Sequence, residues 1–175
     1  MDRLVLSRRR TLLLVPAATL ALAGCGSDEP PPPPPPAPAP PAPPPPPTIV
    51  SLTLKAAPDV NQGADQTPRP IFVRVFTLAS DTEFMASDFF ALDADPSAAL
   101  GPALLRTDTF TLAPGGTDVY QRMLDEKVHF IGVMGSYREI DAADWRAIHP
   151  VPPHQATFLI VDLAAAGIKI RPANL

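Results

Sequence analysis

Ile71-Phe72-Val73-Arg74-Val75-Phe76-Thr77-Leu78 decides the fold. The run is apolar on both of the faces that a two-residue period assigns to it, so it predicts a strand covered on both sides. Arg74 is the exception, and a lone buried charge is costly. It therefore needs an ion-pair partner or an exit to solvent. Upstream, residues 48–55 alternate, with Val50, Leu52 and Leu54 on one side and Ser51, Thr53 and Lys55 on the other, as a half-buried strand does. Residues 56–69 join the two strands and are turn formers with almost no large apolar side chain. That is longer than a hairpin needs, and long loops in compact domains are often functional.

Downstream the period changes. Ser80-Asp81-Thr82-Glu83 has the capping-box pattern. Met85, Phe89 and Leu92 follow at helical spacing, which predicts a helix over the strand. Asp95-Pro96 offers a second cap, Leu100, Leu104 and Leu105 give an apolar side, and Gly101-Pro102 breaks that segment into short turns. Further short strands are expected at 107–112, 117–124, 128–138, 156–163 and 167–171. Pro114-Gly115-Gly116, Asp125-Glu126-Lys127, the Pro-rich 150–153 and 164–167 separate them. Seven short strands with turn signals between them predict a mainly β, two-sheet β-sandwich with a small helical insertion after the second strand. Trp145, in Asp144-Trp145-Arg146, is expected to anchor a loop on that sandwich.

Ahead of residue 48 the chain is of a different kind. Arg3, Arg8, Arg9 and Arg10 precede an apolar stretch from Leu12 to Ala23, and Leu22-Ala23-Gly24-Cys25 closes it. This is the layout of a bacterial secretory signal peptide, with small residues before a cysteine as in a lipobox. A transmembrane helix needs roughly 20 apolar residues. This stretch is shorter and contains Pro16. Residues 1–24 are thus expected to be removed and Cys25 to carry lipid. Several acyl chains hold a protein on a membrane far better than one. Gly26-Ser27 after Cys25, rather than Asp, points to the outer membrane. Ser7-Arg8-Arg9-Arg10-Thr11-Leu12-Leu13 also fits a twin-arginine signal, so the export route stays open.

From Pro30 to Pro47, fifteen of eighteen residues are proline and three are alanine. Such a run adopts polyproline II, at about 3.1 Å per residue, and reads as a semi-rigid spacer or a ligand for a proline-binding domain. The expected organisation is a lipoprotein signal peptide (1–24), a lipidated N-terminus with a proline-rich linker (25–47), and one domain (48–175).

Charge and motifs limit the chemistry. The formal charge is −4, and residues 1–24 hold four Arg and one Asp, so the remainder carries about −7. Such a chain has no electrostatic footprint for nucleic acid. Cys25 is the only cysteine, so the domain has no internal disulfide and no Cys–His pair. There is no Gly-x-Ser-x-Gly elbow and no Gly-rich phosphate loop. The carboxylates Asp81, Asp95, Asp125, Glu126 and Asp141 sit in turns or at helix starts, where capping and solvation account for them. His149 and His154 flank Val-Pro-Pro without a third ligand in register. No catalytic residue, metal set or cofactor is expected.

The order of several pieces resembles one family. Val60-Asn61-Gln62-Gly63 is followed by Arg69-Pro70-Ile71-Phe72-Val73-Arg74-Val75-Phe76-Thr77-Leu78, then by Phe84-Met85-Ala86-Ser87-Asp88-Phe89 and Ala99-Leu100-Gly101. Leu112-Ala113-Pro114-Gly115-Gly116, Phe130-Ile131-Gly132-Val133-Met134-Gly135-Ser136-Tyr137-Arg138 and Trp145-Arg146 complete it. The chain resembles TssJ (SciN-like), the outer-membrane lipoprotein of the bacterial type VI secretion system. The resemblance implies a transthyretin-like β-sandwich. It also implies a non-enzymatic function: binding the periplasmic domain of the inner-membrane protein TssM in an envelope complex that includes TssL and assembles with help from TssA. In the family the loop between the first two strands contacts TssM. Carried over, the contact falls on Asn61, Gln62, Gly63, Ala64, Asp65 and Gln66. The same loop also reads as a variable connection with no partner. A periplasmic carrier or chaperone on the same sandwich is the alternative function, and a hydrolase using scattered carboxylates is a third.

Overall fold

The computed structural model describes residues 42–173. Cys25, the signal-peptide residues and the first part of the proline run lie outside them. Strand β1 (Thr48–Ala56) is central in a sheet of order β4-β1-β7-β8, with β4 at Thr117–Leu124, β7 at Ala156–Ala164 and β8 at Gly167–Pro172. Strand β2 (Ile71–Leu78) is central in the second sheet, order β3-β2-β5-β6, with β3 at Leu104–Leu112, β5 at Phe130–Ser136 and β6 at Arg146–Pro150. Neighbours are antiparallel except β1 and β7, which run parallel. Between β2 and β3 lie three short helices, α1 (Thr82–Ala86), α2 (Phe89–Ala94) and α3 (Pro96–Leu100), and a 3-10 turn at Gly101–Ala103. This is the two-sheet sandwich with a helical insertion that the patterning predicts.

The alternation along β1 and β2 explains the layers. Val50, Leu52 and Leu54 meet Ile71, Val73 and Val75 between the sheets, together with Ile131, Val133, Leu159 and Val161, all buried. The opposite side of β2 turns Phe76 and Leu78 outward, where they join Phe84, Leu92, Leu100 and Met134 in a second core under the helices. The expected cover on both sides therefore applies to the second half of β2. Phe72, nearer its start, stays partly exposed.

Two arginines fasten the helical lid to its sheet. Arg74 donates to the Leu92 and Asp93 carbonyls at 3.0 and 2.8 Å and pairs with the Asp93 carboxylate at 3.0 Å. Arg146 donates to the Phe84 and Ser87 carbonyls at 2.8 and 2.6 Å. Both cations sit where helices α1 and α2 end, the favoured place for positive charge. The expected partner of Arg74 is thus found.

The helix is not continuous as its spacing predicts. Ser87 is extended and ends α1, and Asp88 then caps α2, its side chain accepting from the Ala91 amide at 2.9 Å. The restart turns the phase, so Phe84 enters the core while Met85 faces solvent. The capping box is not made: Asp81 makes no side-chain cap, and Ser80 accepts from the Thr82 amide. Asp95 does cap α3, accepting from the Ser97 and Ala98 amides, with Pro96 in the first turn.

An eighth strand, β6, lies where only a loop was expected. It is five residues long and half-buried, and Pro150 ends it, so its pattern is too short to show. Trp145 precedes it and packs edge-on against Phe89 at 5.4 Å, tying this edge to the lid.

The two ends of the sandwich carry different connections. Pro47 leads into β1 at one end, where the Thr48 hydroxyl accepts from the His154 amide at 2.8 Å. The β1–β2 connection, the β5–β6 connection and the β7–β8 turn gather at the other end.

Candidate functional site

The connection before β2 has no regular structure, yet several of its backbone groups are paired. Ala57 donates to Leu163 at 2.8 Å, and Val60 buries its side chain in the inter-sheet core. The Arg69 amide donates to the Val60 carbonyl at 3.2 Å and closes the base of the loop. Inside it, Gln66 donates to Gly63 at 2.8 Å. Asn61 and Gln66 both stand at φ 53°, the left-handed region that asparagine tolerates better than most side chains.

Asn61 is the pivot. It is only 5% exposed. Its side-chain amide donates to the Pro70 carbonyl at 2.8 Å, and its oxygen accepts from the Arg138 amide at 2.8 Å. One side chain thus joins the start of the loop, its end, and the β5–β6 connection. Gly63 passes close under the Arg138 guanidinium, where an added Cβ would lie 2.7 Å from Nη1.

Asp65 completes the clamp from outside. It accepts from the Thr67 amide at 3.2 Å, from Arg138 at 3.2 Å and from Arg69 at 3.3 Å. The Thr67 amide above all, and then Arg69 and Arg138, hold its carboxyl below the usual carboxylate range. Beside the loop, Gln62, Tyr137, Glu139 and Ala166 border a shallow recess of about 210 Å³. Tyr137 donates to the Ala164 carbonyl at 3.2 Å, and burial raises its phenol far above its ordinary value.

The six residues singled out in the sequence therefore divide. Asn61 and Gly63 are buried and shape the loop, whereas Ala64, Asp65 and Gln66 are exposed and Gln62 is half-buried. Sequence reasoning missed Arg138, which organises the loop from 77 and 73 positions away. No periodicity marks such a contact; Arg138 is merely the last residue of the expected strand 128–138. The histidines lie elsewhere: His149 contacts the Pro150 carbonyl and His154 the Pro46 carbonyl. Among the described residues no three His, Cys, Asp or Glu are grouped to hold a metal.

Comparison with known proteins adds what geometry does not. The type VI secretion lipoprotein family (VasD, EvfM, TssJ) matches residues 48–170. The lipoprotein TssJ1 of the type VI secretion system of Pseudomonas aeruginosa is 35% identical, with a TM-score of 0.72 over 74% of this chain and 99% of that one. Lip of Serratia marcescens, a membrane-bound component of the type VI secretion system, is 30% identical, with a TM-score of 0.68 over 74% and 99%. A chain of a type VI membrane complex shares the fold at 22% identity, with a TM-score of 0.63 over 71% and 98%. No curated protein matches the chain. Over its eight-stranded sandwich, with the lid after β2 and the braced loop before it, the chain belongs to the type VI secretion lipoprotein family.

Proposed function

We propose that this chain is the outer-membrane lipoprotein of a type VI secretion membrane complex and binds the periplasmic domain of a TssM-like inner-membrane protein, with TssL in the same assembly. It acts as a non-enzymatic adaptor. In this reading residues 1–24 are a signal peptide, Cys25 carries the lipid, 25–47 form a spacer, and 48–175 form the binding domain on the periplasmic face. Gln62, Ala64, Asp65 and Gln66 make the contact, while Asn61 and Gly63 hold its shape.

One observation carries the reading: the long polar loop before β2 is not slack but braced on Arg138 through Asn61, Gly63 and Asp65. A loop held in one shape loses less conformational freedom on binding, so more of its contact energy appears as affinity. It also lies at the end of the sandwich opposite the entry of Pro47.

The test is binding of the full chain, in detergent, to the periplasmic fragment of the host's TssM-like protein by biolayer interferometry. Replacing Gln62, Ala64, Asp65 and Gln66 by Gly and Ser, with Asn61 and Gly63 kept, is expected to weaken binding about tenfold or more at an unchanged thermal midpoint. Unchanged affinity would remove the loop assignment. For the anchor, Cys25→Ser is expected to leave the precursor unprocessed or the protein soluble, and recovery in membranes would contradict it.

A further inference from the structure

A second surface lies along the lid. Phe89, Phe90, Ile140 and Trp145 line a cleft of about 500 Å³, with Asp88 and Asp141 on its border. A recess of about 340 Å³, bordered by Met85, Asp144 and Ile168, shares Ala143, Trp145 and Arg146 with it. The floor is aromatic: Phe89 stands edge-on to both Phe90 and Trp145, at 5.5 and 5.4 Å.

Neither Phe90 nor Met85 contributes to the lid's own core. Phe90 is 68% exposed and Met85 47%, while Phe84, Leu92 and Leu100 do the burying. Large apolar side chains exposed at two adjoining recesses that share Trp145 are the composition of an interface core rather than of an ordinary surface. The exposed charged residues that border the two recesses are acidic. Asp88, Asp141 and Asp144 are exposed. The cation present, Arg146, is occupied with the Phe84 and Ser87 carbonyls and lies over the Trp145 ring at 4.6 Å.

We infer that this cleft docks a polypeptide segment of a partner protein that presents Lys or Arg beside an aromatic or branched aliphatic side chain. The apolar side chain enters between Phe90 and Trp145, and the cation meets Asp141 and Asp88 at the rim. Charge complementarity selects the occupant: a second copy of this chain, itself acidic, would bring like charge to the rim. The site does not depend on the 61–66 loop.

Trp145 is the only tryptophan, so its emission reports the cleft directly. Full chain in detergent is titrated with a Lys-Phe-Lys-Leu-Lys-Phe peptide and with its Glu-for-Lys counterpart. The basic peptide is expected to shift Trp145 emission saturably, with an affinity that falls as salt is raised, and the acidic one to leave it unchanged. Phe90→Ser is expected to weaken binding about tenfold and Asp141→Asn about threefold. Both positions are exposed, so the thermal midpoint stays. The variant altered at 62, 64, 65 and 66 is expected to bind the basic peptide as the parent does. No saturable shift, an equal response to the acidic peptide, unchanged affinity in Phe90→Ser, or loss in the loop variant would each overturn the inference. Loss of TssM-fragment binding with the peptide response intact would concern the loop alone.

Discussion

The two connections that flank β2 are held in opposite ways. The lid after it is fixed chiefly by a buried apolar core in which Phe84, Leu92 and Leu100 lie against Phe76, Leu78 and Met134, with Arg74 and Arg146 pinning its carbonyls. The loop before it contributes Val60 to the main core and is otherwise fixed by polar contacts, chiefly those of Asn61 and Asp65 with the Arg138 segment. An apolar core is strong and indifferent to direction, whereas hydrogen bonds are individually modest and set orientation. The difference suits a rigid cover on one side of β2 and a shaped contact surface on the other.

The comparison breaks most severely at Phe84. Its ring is fully buried and packs against Phe76 at 5.5 Å and against the backbone of Gly132. Phe84→Ala is expected to cost about 3–5 kcal/mol in urea unfolding, because the emptied volume cannot be refilled. Asn61→Ala comes next, at about 1–2 kcal/mol, since it removes two part-buried hydrogen bonds, to the Pro70 carbonyl and from the Arg138 amide. Faster amide exchange across residues 62–67 is expected to accompany that loss, with the lid unaffected.

Arg146→Lys sharpens the lid side of the contrast. An ammonium keeps the charge, but its shorter stem draws it back from the two carbonyls that Nη1 reaches. It also loses the stacking of the planar guanidinium on the Trp145 ring, so about 1 kcal/mol is expected to go. A loss as large as that of Phe84→Ala would mean that the polar contacts, not the apolar core, carry most of the lid's attachment. The smallest effect belongs to Asp65, which is solvent-exposed. Its carboxyl is held below the ordinary range, so its contribution is present above about pH 4 and is lost as pH falls through its own lower value. A proton titration followed at the Thr67 amide is expected to show the loop loosening there while the thermal midpoint barely moves.

This division also governs what the sequence reveals. Strand β1 was legible from its two-residue alternation, β2 from a run apolar on both faces, and β4 and β7 from the turn residues at their ends. The lid was legible as helical but not as broken, because Asp88 competes locally for the Ala91 amide and restarts the helix. Strand β6 was hidden because five half-buried residues ending at Pro150 carry too little pattern. The loop was legible as long, polar and exposed. Its internal order was not, since Asn61 depends on an amide 77 residues away, and nothing in a local window distinguishes a buried asparagine from a solvated one.

The course of β1 has a mechanical consequence. The strand enters beside His154 and leaves into the braced loop, so a pull applied between Pro47 and the loop tip runs along its length. It is flanked on both sides, by β4 from Thr48 to Lys55 and by β7 from Ile49 to Ala56. Inter-strand hydrogen bonds lie across the strand direction, so such a load shears both ladders together instead of peeling them one bond at a time. Tension between the two ends would meet the sandwich along its most resistant axis.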